Sequence, residues 1–239
     1  MEKRLNQLVD KLRDAHGAAL VSVILYGSAA AGDYHGAISD LNIFCVLERV
    51  GLDELRKSEK IITWWRDLGN PSPLLMAREE VPRSTDCFPI EFHDMQERRR
   101  LLHGDDLVAS LVIDDSHYRA RVEYELRAKL LRLRQKAAGV FSDRSALLLL
   151  MEESLSTFCV LGRHSLRLLD GDAPWPKREI VHHLAARFGL DPAPLDTLLD
   201  LREQKLKPRQ VDPLPLFERY LREVTVLVDA VDRLAHPEN

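Results

Sequence analysis

The chain has 239 residues, of which 45% are hydrophobic and 30% are charged. This composition is typical of a globular protein, and the length is enough for one large domain or two small ones. The 34 Lys and Arg residues against 38 Asp and Glu residues give a formal net charge of −4. This balance argues against a broad basic surface for nucleic acid and leaves only a local basic cleft as an option.

The cysteines and the apolar runs predict the cellular compartment. The three cysteines, Cys45, Cys87 and Cys159, are odd in number and far apart, so we expect neither a disulfide framework nor a paired metal site. The first residues predict a charged amphipathic helix and lack the apolar core of a signal peptide. The richest aliphatic run, Leu147 to Met151, is too short to span a bilayer. We therefore expect a cytoplasmic protein that does not interact with a membrane.

The first half of the chain alternates between helix and strand patterns. Apolar residues at helical spacing predict helices, and β-branched or alternating runs predict strands. In chain order, the predicted elements are a helix at 3–15, strands at 20–26 and 40–47, a helix at 52–68, and strands at 74–77 and 89–95. The prediction of the last strand depends on the alternation of Ile90 and Phe92 with Glu91 and His93.

From about residue 106 onward the chain shows only helical periodicity. In chain order, we predict helices at 118–138, 143–169, 177–188 and 216–235, with a short helix after Pro194 and a linker at 208–215. The sequence therefore predicts an α/β (α+β) N-terminal domain, residues 1–105, and an all-α helical bundle as the C-terminal domain, residues 106–239.

Two neighbouring segments carry a motif. Val23-Ile24-Leu25-Tyr26-Gly27-Ser28 is followed, after a short loop, by Ser39-Asp40-Leu41-Asn42-Ile43-Phe44. The pair resembles the signature of the nucleotidyltransferase superfamily, in which a strand ends in Gly-Ser and a second strand carries Asp-hydrophobic-Asp. The resemblance implies the fold of DNA polymerase beta and the aminoglycoside nucleotidyltransferases. It also implies Mg²⁺-dependent transfer of a nucleoside monophosphate from a nucleoside triphosphate (NTP) to a hydroxyl, with release of pyrophosphate.

Gly27 and Ser28 are the predicted nucleotide-binding residues. A glycine at the end of a strand lets the backbone approach a phosphate closely. The amides at the start of a following helix, together with the Ser28 hydroxyl, would then face the anion. Gly-Ser is a common dipeptide, so an ordinary strand-to-helix turn is the alternative interpretation.

Asp40 and Asn42 are the predicted metal-binding residues of the second strand. Side chains alternate along a strand, so both lie on one face. The family has a second Asp where this chain has Asn42, and Mg²⁺ prefers charged oxygen ligands to neutral ones. We therefore expect weak or single-metal binding. Many relatives also carry arginine after Gly-Ser, whereas this chain has three alanines, 29–31.

A third acid is expected on a later strand. Glu91 is the predicted residue, as a metal ligand or as the general base for the acceptor hydroxyl, and Asp94 is the alternative. A solvent-facing Glu91 is the competing structural interpretation. Asp33, in the loop between the two motif strands, is a further candidate for the missing charge.

Two functions remain open at this point. The first is an enzyme that modifies a small molecule or a protein. The second is a weakened or inactive nucleotide-binding protein with a regulatory role, such as a toxin–antitoxin partner, which the neutral Asn42 favours. The expected ligands are a nucleotide and an unidentified acceptor, with a protein partner or a second copy of the chain as further options. An unrelated α/β domain with a chance motif is a third interpretation.

Two patterns in the second half have ordinary explanations. The predicted helix at 118–138 is rich in Arg and Lys, but Glu123 and Glu125 lie among them and favour a solvated face with ion pairs. Arg178 and His182 share the Arg-x-x-x-x-His spacing that resembles the ribonuclease motif of helical HEPN domains. This spacing is frequent by chance, so it gives little support for a nuclease.

Overall fold

The computed structural model describes residues 1–27, 29–30 and 41–234. Its contacts group into two compact units, Met1–Ser116 and His117–Asn239. The first unit is α/β and the second is helical, so the predicted fold class is confirmed. The domain boundary after residue 105 stays a prediction.

A mixed four-stranded sheet forms the centre of the first unit. The strands are β1 (Leu20–Tyr26), β2 (Asn42–Leu47), β3 (Leu74–Ala77) and β4 (Arg99–Gly104). Their order is β3-β2-β1-β4, with β1 antiparallel to both β2 and β4, and β3 parallel to β2. The ends of β1 and β2 that carry the motif therefore lie side by side.

Both faces of this sheet are covered, which explains why its central strands are apolar throughout. One face packs against α1 (Glu2–His16) and α2 (Leu52–Asp67), where Val23 and Cys45 meet the buried Trp65. The opposite face packs Ile24 and Phe44 against α3 (Pro89–Glu97). Burial on both sides removes the polar positions that a half-exposed strand would show.

The predicted strand at 89–95 is wrong, because this segment forms α3. Pro89 lies in the first turn, where its missing N–H costs nothing. Phe92 and Met95, three residues apart, both face the sheet. Ile90 and Asp94 are buried as well, so the helix has no fully exposed face to reveal its period. The fourth strand is Arg99–Gly104 instead.

The second unit consists of five described helices. They are α4 (Tyr118–Ala138), α5 (Arg144–Asp170), α6 (Lys177–Phe188), α7 (Ala193–Arg202) and α8 (Pro213–Arg233). The last helix begins earlier than predicted, with Pro213 in its first turn and the Asp212 side chain accepting from the Leu214 amide.

Helix α5 is the central helix of this unit. It contacts α4, α6, α7 and α8. It is the one helix among the described residues that is long and apolar enough to cross a membrane, yet 50% of its most apolar window is buried within the protein. Three consecutive buried polar residues, Arg163, His164 and Ser165, lie in it. These properties are those of a core helix.

His16 links α1 to α2 and is held neutral. Its Nε2 lies 3.0 Å from the Ser58 hydroxyl, which itself donates to the Glu54 carbonyl at 2.8 Å. Nε2 therefore carries the proton and donates. Nδ1 is buried and has no hydrogen-bond partner among the described residues. Burial, assisted by Lys57, lowers the pKa of His16.

We expect acid to weaken the packing of α1 on α2. The folded-state pKa of His16 lies below its unfolded value of 6.5, so the unfolded chain binds the extra proton first. The contribution to stability that is fully present above pH 6.5 is lost as the pH falls through the lower folded-state pKa. The urea midpoint should fall between about pH 7.5 and about pH 5.5, and should fall less in His16→Gln. The exposed control His117→Gln should match the wild type, and an undiminished fall in His16→Gln would contradict this account.

Candidate functional site

The end of β1 forms a tight turn at Gly27. Its φ of +78° lies in the left-handed region that glycine adopts without strain. The Gly27 amide donates to the Arg98 carbonyl at 3.0 Å, and the Ala30 amide donates to the Gly27 carbonyl at 3.0 Å. The turn is thereby tied to the residue that follows α3, which brings that helix to the same end of the sheet.

Asn42 lies against this turn. It is the first residue of β2 and pairs directly with Tyr26, the last residue of β1. A Cβ added at Gly27 would come within 3.3 Å of the Asn42 amide nitrogen. The half-buried Asn42 side chain is thus in contact range of the turn. Gly27 and Asn42 are the two predicted site residues of the motif that the structure describes, and they lie together.

Tyr26 connects Asn42 to Glu91. Directly opposed residues of antiparallel strands project to the same face, with Cβ atoms about 5 Å apart. Tyr26 packs on the face that α3 covers, so Asn42 shares that face. Burial and the negative charge of Glu91, on α3, raise the pKa of Tyr26 to about 12. The Glu91 carboxylate is therefore near Tyr26, and its Oε2 atom is shielded from solvent.

Arg99 attaches the last turn of α3 to the sheet, on the strand that pairs with β1 opposite β2. It is the first residue of β4 and pairs with Tyr26 across the strand. Its Nε is 2.9 Å from both carboxylate oxygens of Asp106, and its Nη1 donates to the Gln96 carbonyl at 2.8 Å. The last turn of α3 is thereby bound to the sheet, since basic groups stabilise helix C-termini. The position of Glu91 follows from this attachment.

The predicted site residues divide into two groups. Gly27, Asn42 and Glu91 are described, and they gather at one end of the sheet, although Glu91 is carried by a helix and not by a strand. Ser28, Asp40 and Asp33 lie outside the described residues.

The described donors suit a hard cation in chemical type. Asn42 offers an amide oxygen and Glu91 a carboxylate, both of the kind that Mg²⁺ prefers. Within residues 1–27, 29–30 and 41–234, no group of three or more His, Cys, Asp or Glu side chains could hold a metal ion. A set of three such ligands would therefore need side chains outside the described residues, where Asp33 and Asp40 lie.

Tyr26 and Arg99 were not predicted from the sequence as site residues. Tyr26 precedes the glycine of the motif, so its place at the end of β1 was the available signal. Arg99 belongs to the cluster Arg98-Arg99-Arg100, and nothing in the sequence distinguishes it from its neighbours. Its role depends on the register of β4 against β1.

Several basic residues of α4 form ion pairs with glutamates of the same helix. Glu123 forms ion pairs with Arg119 and Arg127, each at 2.7 Å, and Arg121 pairs with Glu125 at 2.9 Å. The interpretation of this helix as an ion-paired face is confirmed.

Arg178 joins two helices of the same unit. On α6, it contacts Asp196, Asp200 and Glu203 at 2.8–3.1 Å. His182 Nε2 lies 3.3 Å from the other carboxylate oxygen of Asp196. The Arg178 and His182 pair therefore has a structural explanation in the attachment of α6 to α7 and the segment after it.

A glycine turn, a polar residue on the adjacent antiparallel strand and an acid on the covering helix lie at the same end of β1. Residues 5–101 match the family model for the nucleotidyltransferase domain. This N-terminal part of the chain belongs to the nucleotidyltransferase superfamily, and a helical C-terminal part follows it.

The fold of the whole chain is similar to that of a solved enzyme. Spectinomycin adenyltransferase AAD(9) from Enterococcus faecalis, crystallised with ATP and spectinomycin, superposes with a TM-score of 0.65. The match covers 97% of this chain and 99% of that one, at 13% sequence identity. At this identity the similarity establishes the fold alone. No curated protein sequence matches the chain.

Proposed function

We propose that the protein transfers a nucleoside monophosphate from an NTP to a hydroxyl of a small molecule or protein, with Mg²⁺. The observation that carries this proposal is the gathering of Gly27, Asn42 and Glu91 at one end of β1. The similar enzyme AAD(9), a spectinomycin adenyltransferase, was crystallised with ATP and spectinomycin, which supports the same reaction class.

In the proposed reaction, the acceptor oxygen attacks the α-phosphorus while the bond to the bridging oxygen breaks and pyrophosphate leaves. Gly27 and Ser28 hold the triphosphate. Glu91 accepts the proton of the acceptor hydroxyl, or binds the metal beside it. Glu91 Oε2 is shielded from solvent, which favours proton transfer from a bound hydroxyl over exchange with water.

A Mg²⁺ ion would be held by the carboxylates of Asp40 and Glu91. When bound, it would neutralise charge on the phosphate oxygens and the leaving pyrophosphate. Because Asn42 adds no negative charge, the site should bind the ion more weakly than one with two aspartates on this strand.

Asn42 also favours a second function, a nucleotide-binding protein with little or no turnover that regulates a partner. The two functions differ in catalysis. Under the second, calorimetry should show NTP binding with little dependence on metal and no product. A cytoplasmic location and a protein partner or homo-oligomer stay predictions in both cases.

Substitution of Asp40 tests the enzymatic function. NTP labelled in the α-phosphate, with Mg²⁺ or Mn²⁺ and the metabolites of a cell extract, should yield pyrophosphate and a labelled adduct. Asp40→Ala should lower the rate by at least about 10²-fold, because it removes the main charged metal ligand. Turnover that survives Asp40→Ala would contradict the proposed site, and an absence of adduct with every NTP would favour the binding protein.

A further inference from the structure

Two backbone donors of the Gly27 turn are already used within the protein. A bound phosphate is stabilised by N–H groups directed at its oxygens. The Gly27 amide is already bonded to the Arg98 carbonyl, and the Ala30 amide to the Gly27 carbonyl. Neither can donate to a ligand without breaking a bond that shapes the turn. Alanines occupy positions 29–31 of the sequence, so these three positions supply no cationic side chain.

The Asn42 side chain supplies a donor at this place. Its side-chain amide group comes within 3.3 Å of the position that a Cβ of Gly27 would occupy, and rotation of this group can direct its NH₂ donors at a bound ligand. The side chain is positioned by the direct pairing of Asn42 with Tyr26, at the end of two strands whose cores are fully buried. An aspartate here would place an oxygen acceptor against the turn, where it would repel an anion unless a cation lay between them.

We propose that Asn42 donates a hydrogen bond from Nδ2 to a phosphate oxygen of the bound nucleotide, and does not act as a metal ligand. The inference rests on the proposed function, because it takes the Gly27 turn as the place where the polyphosphate binds. On this proposal, Asn42 has a different role from the aspartate that the family carries at this position. A neutral donor holds the phosphate directly, where a charged acid would hold it through an ion.

This role has a consequence that the metal-ligand role lacks. If Asn42 contacts the phosphate directly, it contributes to nucleotide affinity when no divalent cation is present. Hydrogen bonds to charged groups are worth about 1.5–3 kcal/mol, which corresponds to roughly 10-fold to 150-fold in affinity. If Asn42 acts only through a metal, its removal leaves metal-free affinity unchanged.

The test is calorimetric titration of the full chain with ATP in EDTA, and again with Mg²⁺. In EDTA the wild type should bind ATP, and Asn42→Ala should bind it at least about 10-fold more weakly. Asn6→Ala, which removes the same side-chain type from an exposed position of α1, should match the wild type. Asn42→Asp should lose metal-free affinity at least as strongly as Asn42→Ala and recover it when Mg²⁺ is added. The thermal midpoint of each variant serves as the folding control, and if Asn42→Ala does not fold, Asn42→Asp carries the test.

Three outcomes would overturn the inference. Equal metal-free affinity in the wild type and Asn42→Ala would show that Asn42 does not contact the phosphate. ATP binding by the wild type only when Mg²⁺ is present would assign residue 42 to the metal, while leaving the proposed function intact. An absence of ATP binding under both conditions would overturn the proposed function together with this inference.

Discussion

Glu91→Gln is expected to reduce nucleotidyl transfer by roughly 10²-fold to 10⁴-fold, the range typical of a lost general base. Glutamine has nearly the same shape as glutamate but cannot accept the acceptor's proton, and it offers a metal no charge. The effect should fall on kcat, because in the proposed reaction Glu91 acts on the reacting hydroxyl and the Gly27 turn holds the nucleotide. Initial rates of pyrophosphate release at saturating NTP measure this loss.

The comparison that interprets this result is Asp94→Asn on the same helix. Asp94 is the alternative third acid, and it is buried. The position of Glu91 next to Tyr26 predicts that Glu91→Gln is the more damaging change. Glu79→Gln removes the same charge from an exposed position before α3 and should leave the rate unchanged. A larger loss in Asp94→Asn than in Glu91→Gln would transfer the role to Asp94.

The second large effect concerns the stability of the sheet that carries the site. Gly104, the last residue of β4, has a φ of +74°, and a Cβ added there would lie 1.9 Å from the Val21 carbonyl oxygen. That oxygen belongs to the backbone of β1, so it cannot rotate away as a side chain would. Gly104→Ala should therefore lower the free energy of unfolding by on the order of 4 kcal/mol, among the largest single-residue effects. Urea denaturation with hydrogen exchange at the β1 amides measures it.

Gly69→Ala is the matched control for Gly104→Ala. Gly69 has a φ of +86°, but an added Cβ would meet no atom within 4 Å. This variant should show only the cost of placing a side chain in the left-handed region, about 1–2 kcal/mol. The difference between the two variants isolates the steric contact with Val21. Equal losses in the two variants would contradict this account, because they would mean that a Cβ at position 104 does not clash with the Val21 carbonyl oxygen.

The sequence predicted those elements whose pattern is local. The strand at Leu20–Tyr26 was predicted with its bounds because β-branched residues lie between two glycines, and the helix at Lys177–Phe188 because Pro176 precedes it and Gly189 ends it. Helix α3 was not predicted, because it is buried on the sheet side and on the opposite side. The alternation of Ile90 with Phe92 therefore imitated a strand.

The site was predictable in part for the same reason. Gly27 and Asn42 belong to one motif, and the antiparallel register then brings them into contact. Glu91 does lie near the end of β1, but on a helix and not on the predicted strand, and its role as the third acid stays a prediction. The nearness of Glu91 to Tyr26 depends on how Arg99 attaches α3 to β4, and this attachment follows from tertiary packing that no local pattern encodes.

The most direct test of the account is a crystal structure of the full chain with a non-hydrolysable ATP analogue and Mn²⁺, located by anomalous scattering. The account predicts Mn²⁺ bound to the carboxylates of Asp40 and Glu91. It also predicts the polyphosphate at the Gly27 turn, with an oxygen within about 3 Å of Asn42 Nδ2. A nucleotide bound away from the Gly27 turn, or Mn²⁺ that neither carboxylate contacts, would contradict it.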